Sequence, residues 1–224
     1  MSSSVKRTEL EYRKSNKPLQ SIVKRIFDII LSFIALLILT PIFLALSILI
    51  IKEDGRPVFF RQKRSGLDDK VFEMYKFRSM KNKQVPIPSN SHNEYNWKSG
   101  VPDDFVFKTS SESNPNITKI GVYIRKYSLD ELPQFYNVLK GDMSIIGPRP
   151  EIIAISRCYN KHQKRRLEVK PGITGWAQVN GRSEMDHGKK IEYDLYYVDN
   201  FSLWMDLKVF FITIVQVIRG KGSV

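Results

Sequence analysis

The sequence predicts an α+β fold that is attached to a membrane, and three observations indicate it. A long apolar segment lies near the N-terminus, two segments of alternating character follow it as a β-hairpin, and the rest of the chain has mainly helical patterns separated by turn residues. A chain of 224 residues is long enough for one domain and an anchor. We therefore expect one small domain, with a short hairpin and several helices, carried on an apolar anchor.

The charge balance favours anionic partners. Lysine and arginine number 36 against 23 aspartates and glutamates, so the net charge is +13. Such an excess suits nucleic acid, acidic lipid or phosphorylated substrates. The basic residues are spread along the chain and flank apolar segments, which argues against nucleic acid as the partner. The single cysteine, Cys158, excludes an intrachain disulfide framework and a cysteine-based zinc site.

The most apolar part of the chain runs from Ile26 to Ile51 and can cross a hydrocarbon core of ~30 Å as one tilted helix. We expect a membrane helix over residues 22–52, after a basic N-terminal segment over residues 1–21. Thr40 and Pro41 interrupt it slightly past the middle, where proline removes a helical hydrogen bond. Because basic residues flank both ends, and positive flanks mark the cytoplasmic side, we expect the helix to bend at Thr40-Pro41 and return to the same face. A kinked helix that crosses once is the alternative.

Residues 53–224 form the predicted domain. Val58–Arg64 and Val71–Arg78 are expected to pair as a hairpin around a turn-rich connection. Residues 81–116 contain much serine, asparagine, proline and glycine, and predict a long variable loop.

Helical patterns make up most of the rest of the domain. The predicted helices are Ile120–Lys126, Glu131–Leu139, Ile152–Lys170, Gly188–Asn200 and Leu203–Arg219, with a turn at Pro171–Trp176. The segment 203–219 is unusually apolar. It predicts either an amphipathic helix at the membrane surface, with Trp204 near the lipid headgroups, or a buried core helix.

Two adjacent carboxylates, Asp130 and Glu131, precede Pro133 and follow Arg125 and Lys126. Proline is tolerated in the first turn of a helix, so we expect Asp130 to be the N-cap of the helix that follows. The positive helix end and the nearby cations favour ionised acids. An ionised aspartate can attack phosphorus, and an oxygen pair can hold Mg²⁺. A plain acidic helix cap is the alternative.

Basic residues offer candidate phosphate ligands. In Gly147-Pro148-Arg149-Pro150-Glu151 the prolines restrict the turn, so Arg149 is positioned to bind phosphate or is a solvated arginine on a rigid turn. Lys76 and Arg78 alternate with aromatic residues along the second strand and should face the same side. The two cations either form a row that faces phosphate or lie on the solvated face of the strand.

Taken in order, four motifs resemble the bacterial sugar transferase family, the monotopic phosphoglycosyl transferases. The motifs are Lys76–Met80, Ile124–Gln134, Gly141–Glu151 and Pro171–Arg182. The resemblance covers nearly the whole chain, from about Lys24 to Gly220. The chain resembles the minimal form of the family. Three departures are the Thr40-Pro41 break, commonly Ser-Pro in the family, the loop 81–116, which is longer than in the shortest members, and the stretch before the acid pair, which lacks a frequent Asp-Pro-Arg.

The resemblance implies an α+β catalytic domain on the cytoplasmic face of the bacterial inner membrane, held by a re-entrant helix and interfacial helices. It implies transfer of a sugar-1-phosphate from a UDP-sugar to polyprenyl (undecaprenyl) phosphate with release of UMP. The reaction is expected to be ping-pong through a phosphosugar on Asp130, with Glu131 assisting and Mg²⁺ at the acid pair. The residues expected to bind substrate phosphates or the donor are Lys76, Arg78, Arg125, Arg149, Gln178 and Arg182.

The expected role is the first membrane step of capsule, exopolysaccharide or glycan assembly, upstream of further glycosyltransferases. A homodimer is also expected. One alternative is a membrane glycosyltransferase that releases UDP. The other is a basic membrane scaffold without catalysis, which predicts that Asp130→Asn leaves function intact.

Overall fold

The computed structural model describes residues 18–83, 97–106, 114–181 and 185–219. It begins with one long helix, α1 (Pro18–Asp54), which contains Pro41 without a break in its helical assignment. The Thr40 hydroxyl donates to the carbonyl of Leu36 at 2.8 Å. Among the described residues α1 is the one helix long and apolar enough to cross a membrane, by length and composition. The predicted membrane helix is therefore present and longer than expected, while its return to the same face stays a prediction.

The hairpin is confirmed. Strands β1 (Phe59–Ser65) and β2 (Val71–Phe77) pair antiparallel around a short 3₁₀ turn (Leu67–Asp69), with Phe60 opposite Lys76. A further strand, β4 (Glu151–Ile152), pairs with β1 on its other side. The resulting sheet has the order β2-β1-β4.

A second, two-stranded sheet was not predicted. Strand β3 (Ser144–Ile146) pairs in parallel with β5 (Gly172–Thr174), so the expected turn at Pro171–Trp176 contains a strand. Glycines make this contact close: a Cβ on Gly172 would lie 2.1 Å from the nitrogen of Gly147, and one on Gly147 would lie 2.3 Å from the carbonyl of Lys170. The two motifs that begin at Gly141 and Pro171 are thereby pressed together backbone to backbone.

Helices surround these sheets. In chain order they are α2 (Lys119–Lys126), α3 (Gln134–Lys140), α4 (Ile153–Ser156), α5 (Lys161–Lys164), α6 (Trp176–Asn180), α7 (His187–Asp199) and α8 (Leu203–Ile218). Helices α2, α7 and α8 match their predicted positions within about two residues. The mixed architecture agrees with the α+β prediction.

The predicted helix start at Asp130 is wrong. Leu129–Glu131 forms a 3₁₀ turn, entered through Ser128 in the left-handed region (φ 52°), and α3 begins only at Gln134 with Pro133 as N-cap. Proline has no N–H to offer, so an acid three residues earlier gains no capping hydrogen bond there. The acids instead find partners on the hairpin, as described below.

The single helix predicted over Ile152–Lys170 is also wrong. The chain forms α4, then restarts at Asn160, whose side chain and that of Gln163 make a reciprocal capping box, and then passes into a 3₁₀ turn over Arg165–Glu168. The break allows the Tyr159 hydroxyl to turn inward and donate to Glu151. A local cap and a buried polar contact thus override the helical composition.

Within the described ranges, three apolar clusters form the core. One joins β2, α3, β3 and α8 through residues such as Met74, Val138, Ile146 and Val209. A second packs α4, α7 and the loop residue Val101, which lies in the part of the 81–116 loop that the structure describes. The third packs the C-terminal end of α1 against β2 and α2.

Helix α8 combines the two predicted alternatives. Met205 and Val209 on one side are buried at 8% and 0% exposure. Trp204, Leu207 and Phe211 on the other side are 76%, 47% and 61% exposed. One stripe therefore belongs to the core, and an apolar face remains available to a membrane surface.

Candidate active site

The hairpin brings a lysine to the acid pair. Lys76 on β2 donates from Nζ to Asp130 Oδ2 at 3.2 Å and to Glu131 Oε1 at 2.9 Å. The three side chains are 14–17% exposed. The 3₁₀ turn over Leu129–Glu131 presents both acids to one ammonium group.

Arg149 completes this group from the other side. Its Nη2 donates to Glu131 Oε1 at 2.6 Å and its Nη1 donates to Oε2 at 3.4 Å, a two-point contact. Arg149 is 43% exposed, so the group opens to solvent on its side. We call Lys76, Asp130, Glu131 and Arg149 the open cluster.

The environments of the two acids separate their pKa values. Burial would raise the pKa of Glu131, but Arg149 and Lys76 together outweigh it and lower that pKa to about 2. Burial raises the pKa of Asp130, and Lys76 offsets this only in part while the charge of Glu131 adds to the rise. Two neighbouring acids with divided pKa values are typical of sites where they have different tasks.

A second ionic group lies directly behind Arg149. Arg166 donates to Glu151 Oε2 at 3.1 Å, to Asp194 Oδ2 at 2.8 Å and to the backbone carbonyl of Arg149 at 2.9 Å. Its side chain is 1% exposed. Lys190 and Tyr159 also donate to Glu151. We call Glu151, Tyr159, Arg166, Lys190 and Asp194 the closed cluster, and it fixes the backbone that carries Arg149.

Other predicted residues lie elsewhere. Arg78 is 6% exposed and bonds the carbonyls of Asp54 and Gly55 at the end of α1, at 3.1 and 2.7 Å. The strand ends at Phe77, so the predicted common row of Lys76 and Arg78 does not form: their partners lie at different places. Arg78 instead neutralises a helix C-terminus.

The remaining predicted residues have less direct relations to the acids. Arg125 is half-buried near the end of α2, shortly before the acid turn. Gln178 on α6 has both amide atoms buried and without a partner among the described residues. Its Oε1 lies against Gly175, which follows β5. Arg182 lies outside the described residues.

Two residues of this region were missed from the sequence. Arg64 on β1 donates from Nη1 to the carbonyl of Pro150, the residue after Arg149. Pairing the predicted strands about the centre of their connection places Arg64 opposite Val71, on the face away from Lys76. Only the observed register, with Arg64 opposite Phe72, brings it to the face of Lys76. Arg166 stood within a basic run, and no local signal distinguishes it from its neighbours.

The acid pair offers a suitable donor set for Mg²⁺. Carboxylate oxygens are its preferred ligands, and Mg²⁺ commonly uses one or two of them together with substrate phosphates. Asp130 Oδ1 receives no hydrogen bond from a described residue, whereas both oxygens of Glu131 are engaged by cations. No group of three or more His, Cys, Asp or Glu side chains suited to a metal occurs among the described residues. The arrangement therefore fits an ion that is completed by a bound diphosphate.

Comparison with known proteins identifies relatives over nearly the whole chain. The model of the family described as bacterial sugar transferase matches residues 19–220. The chain is 43% identical over 202 residues to the sugar transferase EpsL of Bacillus subtilis, covering 90% of each chain. It is 39% identical to the UDP-glucose:undecaprenyl-phosphate glucose-1-phosphate transferase of Escherichia coli, covering 90% of this chain and 41% of that one.

A third relative acts on a different sugar. The chain is 38% identical to the UDP-N-acetylgalactosamine-undecaprenyl-phosphate N-acetylgalactosaminephosphotransferase of Aeromonas hydrophila, covering 92% of this chain and 46% of that one. The chain thus spans less than half the length of these two larger relatives.

Proposed function

This chain belongs to the bacterial sugar transferase family, and from that premise we propose that it is a phosphotransferase that moves a sugar-1-phosphate from a UDP-sugar to polyprenyl (undecaprenyl) phosphate and releases UMP. The observation that carries the proposal is the open cluster, in which two acids of divided pKa face a lysine and an arginine. The printed names of relatives support the substrate classes, a UDP-sugar and undecaprenyl phosphate. The same proposal places the chain before the glycosyltransferases that extend the product.

We propose Asp130 as the nucleophile. Its ionised carboxylate attacks the phosphorus next to the sugar, the bond from that phosphorus to the bridging oxygen breaks, and UMP leaves. An oxygen of polyprenyl phosphate then attacks the same phosphorus and the bond to Asp130 breaks. Asp130 suits this role because its Oδ1 is not engaged by a described residue and its charge is only partly compensated.

The other members of the open cluster hold charge in place. Glu131 stays ionised and fixes Lys76 and Arg149 by direct contacts of 2.9 and 2.6 Å. The two cations are then preorganised for phosphate oxygens. Mg²⁺ bound at Asp130 and Glu131 would neutralise the diphosphate of the donor. Because Lys76 and Arg149 already balance the acids, we expect the ion to bind well only together with the donor.

Both ends of α1 contact the same domain, which supports a re-entrant anchor. Asp28 accepts from the backbone N–H of Ile145 at 3.0 Å, and Ile50 packs with Phe77 and Ile124. In a straight helix Asp28 and Ile50 would be ~33 Å apart, about the thickness of the hydrocarbon core. A straight crossing would carry one of these contacts to the opposite side of the membrane. We therefore propose that α1 bends at Thr40-Pro41 and that the domain faces the cytoplasm of the inner membrane, since both flanks are basic.

The reaction is tested by the nucleotide that is released. Full-length protein in nanodiscs would be given Mg²⁺, a panel of UDP-sugars and undecaprenyl phosphate, and UMP and UDP would be quantified. Asp130→Asn should lower UMP release by about 10³-fold or more. The control Asp69→Asn changes an exposed acid in the hairpin turn and should behave as wild type. Release of UDP, or UMP release indifferent to Asp130, would overturn the proposal.

The covalent intermediate has its own test. Without the lipid acceptor, wild-type protein should release about one UMP per site and gain the mass of one sugar phosphate, and Asp130→Asn should do neither. UMP release that strictly requires the acceptor would instead indicate direct transfer.

The topology is tested by labelling. Single cysteines at Leu19 and Lys52, introduced with Cys158→Ala, should both resist an impermeant maleimide in intact cells and both react in inside-out vesicles. Labelling of one position only in intact cells would support a single crossing.

A further inference from the structure

Arg64 lies on the same face of the hairpin as Lys76. In the antiparallel register Phe60 is opposite Lys76 and Arg64 is opposite Phe72, and directly opposite residues share a face. Arg64 is therefore about 13 Å along the strand from the position of Lys76. Arg61 and Lys63, on the other face, are exposed.

Its guanidinium is held in one position. Nε and Nη2 donate to Gln62 Oε1 at 3.2 and 2.6 Å, and Nη1 donates to the carbonyl of Pro150 at 3.2 Å. Guanidinium has five N–H groups, so one on each terminal nitrogen remains without a described partner. A continuous series of contacts therefore joins Arg64 to the acid pair. Lys76 contacts Asp130 and Glu131, and Arg149 contacts Glu131. Pro150 follows Arg149 in the chain and contacts Arg64.

No acid among the residues that the structure describes forms an ion pair with Arg64. The open cluster is balanced, because two carboxylates face two cations. Arg64 is half-buried and forms no ion pair with a described residue. Burial lowers the pKa of Arg64 most strongly, and the charge of Glu151 opposes this as the next largest effect. Arg149 lowers the pKa further, and Glu131 raises it by a smaller amount. A fixed, partly desolvated guanidinium that has no ion pair within the described part of the chain, beside a second arginine, is typical of an anion site.

We propose that Arg64, positioned by Gln62, binds the phosphate of the donor that leaves as UMP. The inference rests on the proposed function. There Asp130 attacks the phosphorus next to the sugar, so the phosphate of UMP lies beyond that phosphorus as seen from Asp130. Arg64 is the cation at the far end of the contacts that begin at Asp130, and the proposal places that phosphate there. The two N–H groups left on Arg64 suit two oxygens of that phosphate.

The test measures binding of UMP and of uridine to full-length protein in nanodiscs with Mg²⁺, by calorimetry. Arg64→Gln should weaken UMP binding roughly 10- to 100-fold, the effect of losing a hydrogen-bonded charge. It should leave uridine binding unchanged, because uridine has no phosphate. Arg64→Lys, which keeps the charge but not the two-point contact, should give an intermediate loss. The control Arg61→Gln, on the exposed face of the same strand, should bind UMP within about twofold of wild type.

The outcomes separate this inference from the proposed function. Equal UMP binding by wild type and Arg64→Gln overturns the role of Arg64 while the release of UMP by wild type stands. Equal loss of UMP and uridine binding, with a lower unfolding temperature for both Arg64 variants, assigns Arg64 a structural role and also overturns it. A wild type that releases UDP and binds no UMP overturns the proposed function and the site together.

Discussion

Two ionic clusters built from the same residue types meet at the segment Arg149–Glu151. In the closed cluster Arg166 and Asp194 are both 1% exposed and Glu151 is 7% exposed. In the open cluster the acids are 14% and 17% exposed, and Arg149 reaches 43%. The closed cluster holds the backbone of the arginine that the open cluster presents.

The pKa values do not distinguish the clusters. Each contains one acid whose pKa is lowered by cations and one whose pKa burial raises: Glu131 and Asp130 in the open cluster, Glu151 and Asp194 in the closed one. What differs is exposure to solvent, because Asp130 is 14% exposed and Asp194 is 1% exposed. An acid with a perturbed pKa indicates a functional site only where a substrate can approach it.

The largest effect on stability is expected in the closed cluster. Arg166→Met leaves Asp194 buried without the cation that contacts it and removes one of the two cations that contact Glu151, and should lower the free energy of unfolding by about 3–5 kcal/mol. The matched control is Arg165→Met, whose arginine is 26% exposed and should cost no more than ~1 kcal/mol. Unfolding would be followed by circular dichroism of the full chain in detergent. Similar losses for the two variants would contradict the distinction between the clusters.

The two acids of the open cluster should respond with opposite signs. Glu131 has a folded pKa of about 2 against 4.5, so it stabilises the fold above pH 4.5 and loses this effect as the pH falls toward 2. Glu131→Gln should therefore cost on the order of 2–3 kcal/mol at pH 7.

Asp130→Asn should leave the unfolding temperature equal or higher, because burial of the Asp130 charge raises its pKa and so opposes folding at neutral pH. Both variants would be compared with wild type by thermal unfolding at pH 7. A clear loss of stability in Asp130→Asn would mean that Asp130 is held for structure, as Asp194 is.

A smaller effect is expected where the open cluster meets solvent. Arg149→Lys keeps the charge and loses the two-point contact with Glu131, so kcat/KM for the donor should fall roughly 10-fold with little change in stability. Arg157→Lys, at an exposed position, serves as the control. An unchanged kcat/KM would show that charge alone is sufficient at position 149.

The smallest expected change is a displacement of the acid limb of the pH–activity profile. UMP release in the first half-reaction should fall as the pH drops through the raised pKa of Asp130, while Glu131 remains ionised. Lys76→Met removes a cation that lowers this pKa and should move the limb to higher pH. Glu131→Gln removes a like charge and should move it to lower pH. Shifts in the same direction would place the titrating group elsewhere.

Much of the fold follows from local patterns. The apolar run of α1, the alternation in β1 and β2, and the composition of α7 and α8 are properties of short segments, and each predicted element is present. Failures occurred where a distant partner outweighs a local preference. The helix predicted from Glu131 does not start there because the acids turn to Lys76, and the helix predicted over 152–170 breaks where Tyr159 turns to Glu151.

The sequence by itself determined the candidates for the site: two adjacent acids, a rigid turn with Arg149, and a lysine on a strand. The tertiary structure decided which of them meet. Lys76 reaches the acids and Arg78 caps α1, although the two are separated by one residue, because the strand ends at Phe77 and the chain turns away. Arg64 and Arg166 could not be assigned to the site from the sequence, because their contacts also form only in the tertiary structure. Salt bridges between residues far apart in the chain depend on strand register and helix breaks, and these are settled only when the separate segments pack together.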